Sequence, residues 1–293
     1  MFSHHRGQRV HADGAAAGPA QESSQPSTLE IEFAELSHSG KVRDHNEDYL
    51  GHVLAESQEQ ARSHGWLFAL ADGVGGHDQG EVASKAAIEC LTEGFRKAPA
   101  GQQHAAMLQR LVQAANVFVY ETGRAAGPGG VSMATTIVTC AVRYDRAAVA
   151  HVGDSRCYLV RLGHATALTK DHTVASEQLR LGVITSREAS KAKTKHLLSR
   201  SLGTELFVNV DTSEHHVLTG DVLVLCSDGL HGSVPGSDIA GIVSRTNDLR
   251  AAADKLVNLA NERDGGDNIT VQLIRIRGVE RVGMYRGRPY KLR

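Results

Sequence analysis

The central part of the chain alternates between short apolar runs and longer amphipathic segments. Runs of strand length that are rich in β-branched residues predict at least six strands, over residues 66–71, 136–142, 147–152, 157–161, 222–226 and 269–276. Segments rich in Ala and Leu, with apolar residues three and four positions apart, predict helices over residues 81–95, 105–125, 239–243 and 249–262.

The order of these elements favours one fold class. The predicted strands come in consecutive groups, and residues 143–146 fit the turn of a hairpin. A parallel sheet would need a helix between successive strands, whereas consecutive strands pair antiparallel. We therefore expect an antiparallel α+β arrangement in which the helices cover faces of the sheets.

The length, composition and net charge of the chain limit which domains and partners we expect. The chain has 293 residues, enough for one large domain or two small ones, and 41% of them are apolar. Its net charge of -1 gives no global attraction to nucleic acid or to an acidic membrane surface, so we expect neither as a partner. No signal-peptide pattern and no run of about 18 apolar residues is visible, and the cytoplasm is the predicted location.

The two ends of the chain differ in composition from its central part. Residues 1–29 are rich in Ala, Gly, Gln, Ser and His and have almost no large apolar side chains, which predicts a disordered tail. Residues 278–293 are predicted to be a basic tail, which either docks an anionic partner or is a solvated end. Residues 30–277 are predicted to form the one domain between them.

The cysteines do not indicate a disulfide framework or a zinc site. They stand singly inside apolar runs, without the paired spacings that such sites need. We interpret all four as reduced core thiols. They are Cys90, Cys140, Cys157 and Cys226.

Acidic residues occupy an unusual position in this pattern. Asp72, Asp228 and Asp267 each lie next to glycine or asparagine at an end of an apolar run. A single Asp-Gly pair is normally a hairpin turn. Three such carboxylates that converge would repel one another strongly without a counter-charge.

Three further acids, Glu47, Asp48 and Asp154, extend this set. Divalent cations are the natural counter-charge for converging carboxylates. An all-oxygen ligand set suits magnesium or manganese, whereas zinc prefers His and Cys ligands that the chain does not offer in a suitable set. The sequence therefore predicts a magnesium or manganese site.

Eight short motifs occur in a characteristic order. They are RDHNED (43–48), ADGVGGHDQGEVAS (71–84), MATT (133–136), HVGDSRCYLVR (151–161), LTKDHT (168–173), LSRSLG (198–203), LCSDGL (225–230) and DNIT (267–270). In these motifs the chain resembles the metal-dependent protein phosphatases, the type 2C serine/threonine phosphatases, in their bacterial form. The resemblance spans about residues 31–276. It implies a four-layer α-β-β-α sandwich of two antiparallel sheets flanked by helices, with a binuclear metal centre between the sheet edges.

The resemblance also implies a ligand set for the first of two Mn²⁺ or Mg²⁺ ions. Asp72 would be the carboxylate that bridges both ions. The backbone carbonyl of Gly73 and the side chains of Asp228 and Asp267 would complete the first site.

Further ions and the substrate would use the remaining residues. Glu47 and Asp48 would serve the second ion, directly or through water. Asp154, together with Asp228, would hold the weaker third ion of bacterial members. Arg43 would grip the substrate phosphate, although a lone arginine is more often a surface charge.

The implied mechanism needs no covalent phosphoenzyme. A water between two cations loses its proton readily near neutral pH and would attack phosphorus in line with the departing oxygen. A metal-bound water or a histidine would give that oxygen its proton. His77 is the candidate histidine, although its loop position fits an ordinary surface histidine as well. The predicted partners are phosphorylated proteins, among them a serine/threonine kinase or its substrates, and the enzyme is expected to be a monomer.

The chain departs from the family pattern at Ala134, where Gly is usual, and an added methyl there is expected to shift the backbone slightly. Residues 176–195, which are rich in Lys and Ser, occupy the place of the family's mobile flap beside the active site. Such a loop is expected to influence which phosphoproteins enter.

Other classes remain open. Cys90 with Arg96, and Cys140 with Arg146, have the spacing of cysteine-dependent phosphatases but no Gly-rich phosphate loop. The glycines after Asp72 fail the full dinucleotide-binding pattern. Two alternatives are a catalytically weak phosphoprotein-binding module and a two-metal hydrolase of small phosphate esters.

Overall fold

The computed structural model describes residues 29–74, 79–126, 131–285 and 288–291. Nearly all of the predicted N-terminal tail lies outside these residues, and so does His77. None of the helices in the described ranges is long and apolar enough to cross a membrane.

The described residues contain thirteen strands and eight helices. The strands are β1 (Glu30–His38), β2 (Asp48–Val53), β3 (Trp66–Val74), β4 (Ala134–Thr135), β5 (Ile137–Arg143), β6 (Arg146–Val152), β7 (Arg156–Arg161), β8 (His164–Ala167), β9 (Asp211–His216), β10 (Val222–Cys226), β11 (Ile269–Gly278), β12 (Val282–Tyr285) and β13 (Arg288–Lys291). The helices are α1 (Gln58–Ser63), α2 (Gln79–Arg96), α3 (His104–Ala125), α4 (Val174–Arg180), α5 (Ser186–Ala189), α6 (Asp228–His231), α7 (Gly236–Arg245) and α8 (Leu249–Arg263).

Two antiparallel sheets form the centre of the molecule. One has the strand order β1-β11-β10-β7-β8, and the other has the order β2-β3-β5-β6-β9 with the short β4 beside β3. Helices α2 and α3 pack on the second sheet and helices α7 and α8 on the first. The predicted α+β class, a four-layer sandwich with helices outside two antiparallel sheets, is confirmed.

The central strands are buried on both faces, which explains their continuous apolar runs. In β3, alternate residues point to opposite sides, as a period of two requires. Leu67, Ala69 and Ala71 pack under the helices, whereas Trp66, Phe68 and Leu70 fill the space between the sheets. Strand β10 divides its side chains in the same way, with Leu223 and Leu225 between the sheets.

All six predicted strands and all four predicted helices are present. The hairpin at residues 143–146 joins β5 to β6, and Tyr144 has a positive φ of 58° in its turn. Helix α7 is longer than the predicted 239–243. The strands that the apolar pattern missed include β1 and β9, which have many polar residues, EIEFAELSH and DTSEHH, and lie at sheet edges.

The predicted basic tail contains ordered backbone. Glu280 is 6% exposed and accepts hydrogen bonds from the Arg62 guanidinium, and Val282 is buried. Strands β12 and β13 then pair as a two-stranded hairpin. An ion pair between the buried Glu280 and the partly exposed Arg62 therefore holds the start of the segment against the domain.

Three of the four cysteines are buried, and Cys90 is partly exposed. Cys90 lies inside α2 and Cys140 inside β5, so neither heads a loop of free backbone amides. Burial raises the pKa of the Cys90 thiol. A thiol nucleophile needs a lowered pKa, so the cysteine-dependent alternative gains no support.

The space between the sheets should be the most sensitive part of the fold. Leu223 is fully buried there, and we expect Leu223→Ala to lower the free energy of unfolding by about 2–5 kcal/mol, because it leaves a cavity. Urea unfolding measures this change. The control Leu162→Ala removes a side chain that is 93% exposed and should change stability by less than about 0.5 kcal/mol. Equal effects of the two variants would contradict the assigned core.

Candidate metal centre

The predicted carboxylates meet at one end of the sandwich. Strands β2 and β3 pair so that Asp48 stands directly opposite Asp72, and like charges at such positions repel. The other members come from the loop after β6, from α6 and from the turn before β11. The predicted residues that line the resulting cleft are Arg43, Glu47, Asp72, Gly73, Asp154, Asp228 and Asp267.

Asp48 lies behind the cleft wall and is 6% exposed. Neither of its carboxylate oxygens makes a hydrogen bond of normal geometry among the described residues. Burial is the largest cause that raises the pKa of Asp48 to about 7, and the charges of Asp228 and Asp267 add to it, whereas the nearby hydroxyls of Thr270 and Ser227 lower this pKa. A buried carboxylate whose hydrogen bonds are incomplete is costly in a folded protein, so this side chain fits a place near a bound cation, directly or through water.

The neighbouring carboxylates show the same mutual repulsion. Burial and nearby charges, that of Asp48 first, raise the pKa of Asp72 well above its usual range. Burial and the charge of Asp228 raise the pKa of Asp154 to about 7. Burial alone would also raise the pKa of Asp228, but its hydrogen bond with His196 lowers it. Cation binding would remove this repulsion and keep all four ionised.

Arg43 lies at the edge of this acidic cluster. Its Nε is 3.0 Å from Asp267 Oδ1, and its second terminal nitrogen donates to Asp267 Oδ2 at 3.2 Å. This bidentate pair fixes the plane of the guanidinium. The side chain is 45% exposed, so its other N–H groups remain available to an anion in the cleft.

Hydrogen bonds hold the end of β3 in place. The Asp72 amide donates to Thr136 Oγ1 at 3.0 Å, and the Asp72 carbonyl accepts from the Thr135 hydroxyl at 2.8 Å. The Gly73 amide donates to the Glu47 carbonyl at 3.1 Å. The backbone around the predicted bridging carboxylate is therefore fixed from both sides.

Two glycines allow the close approach that this arrangement needs. A Cβ on Gly73 would lie 2.4 Å from the carbonyl of Gly80, and a Cβ on Gly80 would lie 2.7 Å from Glu47 Oε1. Real Cβ contacts of this length do not occur. The start of α2 can thus pack against β3 only when residue 73 lacks a side chain, whereas a Cβ at residue 80 would displace the Glu47 carboxylate.

Asn268 has a site role that sequence reasoning missed. Its Oδ1 accepts from the Glu47 amide at 2.8 Å, and its Nδ2 donates to the carbonyls of Ser39 and His45 at 3.0 and 2.9 Å. One side chain thereby joins the RDHNED loop to the turn that carries Asp267. Its place beside Asp267 in the DNIT motif was the available signal.

The departure at Ala134 leaves this region intact. Ala134 pairs with Val74 as part of β4, and Thr135 pairs with Gly73. The residue lines the cleft. The hydrogen bonds of Thr135 and Thr136 to Asp72 are formed with alanine in place.

The predicted flap has definite limits. We use flap for residues 174–198, which begin where Thr173 pairs with Leu198 and where the Val174 amide donates to the Leu197 carbonyl at 2.8 Å. The returning end of the flap lines the cleft with Lys195 and His196. His196 Nδ1 is 3.4 Å from Asp228 Oδ2. No sequence motif indicated this contact, because His196 lies outside all eight motifs.

A second cluster lies beside the flap base. His151, His172 and Asp211 offer ligand atoms within 4.8 Å of one another, which no sequence pattern had indicated. The imidazole rings are stacked, with centroids 4.6 Å apart and an interplanar angle of 18°, so their in-plane lone pairs do not converge on one ion. The Arg200 guanidinium also binds Asp211 at 2.9 Å and already supplies a positive charge. These features disfavour a metal here.

This cluster instead connects the flap to the cleft. The His172 amide donates to the Gly153 carbonyl at 2.9 Å, and the Gly153 amide donates to His172 Nδ1 at 3.2 Å. Gly153 precedes Asp154. Arg200 also lies 3.4 Å from Glu177 in helix α4. The base of the flap and the loop that carries Asp154 are therefore held by one hydrogen-bonded unit.

The structure thus has a sandwich of two antiparallel sheets and a cluster of carboxylates that converge at one end of it. The family model described as protein phosphatase 2C matches residues 34–269. The chain therefore belongs to the protein phosphatase 2C family, the metal-dependent serine/threonine protein phosphatases.

Relatives and solved structures agree with this assignment. The serine/threonine phosphatase stp of Listeria innocua is 35% identical over 254 residues, which cover 85% of this chain and 95% of that protein. The structure of the Streptococcus agalactiae serine/threonine phosphatase matches with a TM-score of 0.77 and 31% identity, over 84% of this chain and 100% of that one. The catalytic domain of the phosphatase PstP, in complex with 2 manganese ions, matches with a TM-score of 0.72 and 33% identity, over 85% of this chain and 100% of that one.

Asp48 should destabilise the metal-free fold. Because its pKa is raised in the folded state, the cost of its charge grows as the pH rises from about 4 towards 7. We expect Asp48→Asn to raise the stability of EDTA-treated protein at pH 8 by about 2–4 kcal/mol, and by less at pH 5. The same variant should lose most of the thermal stabilisation that Mn²⁺ gives the wild type.

Thermal unfolding with EDTA or Mn²⁺ at both pH values measures these effects. Asp254→Asn, which changes a half-exposed acid on α8, is the matched control and should behave as the wild type. A metal-free Asp48→Asn protein that is less stable than the wild type at pH 8 would contradict the assigned repulsion.

Proposed function

We propose that the chain hydrolyses phosphoserine and phosphothreonine in other proteins, with Mn²⁺ or Mg²⁺ bound in the carboxylate cleft. The observation that carries this proposal is Asp48, a buried carboxylate without a hydrogen bond of normal geometry among the described residues, directly opposite Asp72. The ligand set offers oxygen atoms only, which suits both cations. The two manganese ions of the PstP neighbour support the same number here.

The proposed ligand roles follow the family resemblance. Asp72 would bridge two cations, and the Gly73 carbonyl, Asp228 and Asp267 would complete the first site. Glu47 and Asp48 would serve the second site, directly or through water.

Asp154 and Asp228 would share a third cation. Burial of Asp154 beside Asp228 raises its pKa, and this repulsion favours a cation between the two. The hydrogen bonds of His172 to Gly153 would keep Asp154 in place for that role.

Cations in the cleft would supply hydroxide near neutral pH and offset the negative charge on the phosphoryl oxygens. Arg43 would bind those oxygens with the N–H groups that Asp267 does not use. Because the Arg43 plane is already fixed by Asp267, little order has to be gained when substrate binds. The surrounding hydrogen bonds of Thr135, Thr136 and Asn268 would keep the acidic side chains from moving apart.

Two parts of the sequence prediction stay proposals. His77 as proton donor to the leaving oxygen rests only on its place in the loop after Gly76. Phosphorylated proteins, among them a serine/threonine kinase or its substrates, are the proposed partners, and the monomer is the proposed state.

Phosphate release from a phosphothreonine peptide tests the proposal. We expect release that requires added Mn²⁺ or Mg²⁺ and stops with EDTA. Asp72→Asn should lower kcat by at least about 100-fold. Arg43→Ala should lower kcat/KM by about 10- to 100-fold, because it removes charged hydrogen bonds to the phosphoryl group. Arg110→Ala, which changes an arginine on α3 outside the cleft, is the control.

Other results separate the alternatives. Faster release from a nucleoside monophosphate than from phosphopeptides would favour a hydrolase of small phosphate esters. Peptide binding without release from folded, metal-loaded protein would favour the binding module. Release that survives EDTA would contradict a metal mechanism.

A further inference from the structure

Positive charge is concentrated in one part of the flap. Residues 186–200 contain five basic side chains and one acidic side chain, in a chain whose net charge is -1. Four of these basic residues lie in the flap itself, between the start of α5 and the cleft. They are Arg187, Lys191, Lys193 and Lys195.

These four side chains have no ion-pair partner in the part of the chain that the structure describes. All four are exposed. The flap's two glutamates are already engaged: Glu177 binds Arg180 and Arg200, and Glu188 completes a capping box with Thr185. The flap therefore presents four cations to solvent and keeps its anions for internal contacts.

Exposed and half-buried side chains alternate along the lysine-rich segment of the flap. In the sequence KAKTK, Lys191, Lys193 and Lys195 are exposed, whereas the intervening Ala192 and Thr194 are half-buried. We call the three lysines the flap lysine row. Their ammonium groups repel one another unless an anion lies near them.

The last lysine of the row, Lys195, lies at the cleft. Lys195 lines the cleft wall, and the next residue, His196, contacts Asp228. The cleft floor is acidic and takes cations, so the phosphoryl group of a substrate would be bound there by the cations and Arg43. Lys195 therefore lies at the cleft, where residues that flank the phosphorylated one would pass, and the other two lysines of the row precede it in the same exposed segment. The charge of the row is opposite to that of the floor.

We propose that the flap lysine row selects phosphoproteins that carry further negative charge close to the phosphorylated serine or threonine. That charge comes from Asp or Glu side chains or from a second phosphate. This inference rests on the proposed phosphatase function and names its substrate class.

Three phosphothreonine peptides of equal length test the row. One has Asp and Glu on both sides of the phosphothreonine, one has Asn and Gln at the same positions, and one has a single phosphoserine as its only additional charge. We expect wild-type kcat/KM to be roughly tenfold higher for the two charged peptides than for the neutral one, from a few exposed ion pairs. The preference should shrink as salt is raised from 50 to about 300 mM.

The triple variant Lys191→Gln, Lys193→Gln, Lys195→Gln should lose most of this preference. Its kcat/KM should fall mainly for the charged peptides. Lys97→Gln is the matched control, since Lys97 is an exposed lysine just after α2, about 27 Å along that helix from its cleft end. This control should keep the wild-type preference.

Several outcomes would overturn the inference. Equal kcat/KM of the wild type for all three peptides is one. An equal loss in the triple variant for all three peptides is another, because the lysines would then attract any phosphate rather than flanking charge. The two charged peptides also separate the sources: a preference for only one of them assigns the row to carboxylates or to a second phosphate.

A binding measurement tests the role of the flap lysine row independently of phosphate release. Peptide affinity for the Asp72→Asn protein, measured by fluorescence anisotropy, should show the same preference, and adding the three Lys→Gln changes should remove it. Absence of phosphate release from every peptide would contradict the phosphatase proposal alone. Equal affinities for charged and neutral peptides would overturn the role of the row.

Discussion

Repulsion among buried carboxylates is the constraint on which the rest of this molecule depends. Antiparallel pairing of β2 with β3 forces Asp48 to face Asp72. The charge of Asp228 raises the pKa of the neighbouring Asp154. Asp48 makes no hydrogen bond of normal geometry among the described residues. Such a cluster makes the metal-free fold less stable at this end of the sandwich, and this is typical of functional sites.

The surrounding structure is arranged to resist that repulsion. Thr135 and Thr136 hold the backbone of Asp72, while Asn268 joins the loop of Glu47 to the turn of Asp267. These contacts lie at the ends of strands whose other residues fill a two-sided core. Sites built on rigid elements keep their geometry better than sites on isolated loops. The flap is the exception, since it reaches the cleft from outside the sandwich and is tied to it through His172 and Gly153.

The apolar pattern predicted much of the fold. The burial of each strand explains where that prediction succeeded and where it failed. Strands β3 and β10 are buried on both faces and therefore read as continuous apolar runs. Strands β1 and β9 lie at sheet edges with many polar residues, so periodicity gave no clear strand signal there. The short helices α5 and α6 are single turns and carry too few residues for any period to be visible.

The residues of the candidate site were likewise predicted only in part. Its acidic residues stand in ordered motifs, and the structure brings them to one cleft. Asn268 and His196 were missed because their roles depend on contacts between segments that are far apart in sequence. The His151, His172 and Asp211 cluster was missed for the same reason. His77 lies outside the described residues and stays a prediction.

Anomalous X-ray diffraction at the manganese edge, from crystals grown with Mn²⁺, tests the central claim most directly. The account predicts at least two strong peaks in the cleft, in contact with carboxylate oxygens of Asp72 and its neighbours. It predicts no peak between His151, His172 and Asp211, where Arg200 supplies the positive charge. A cleft without a peak in metal-loaded crystals, or manganese bound at the histidine cluster instead, would contradict the account.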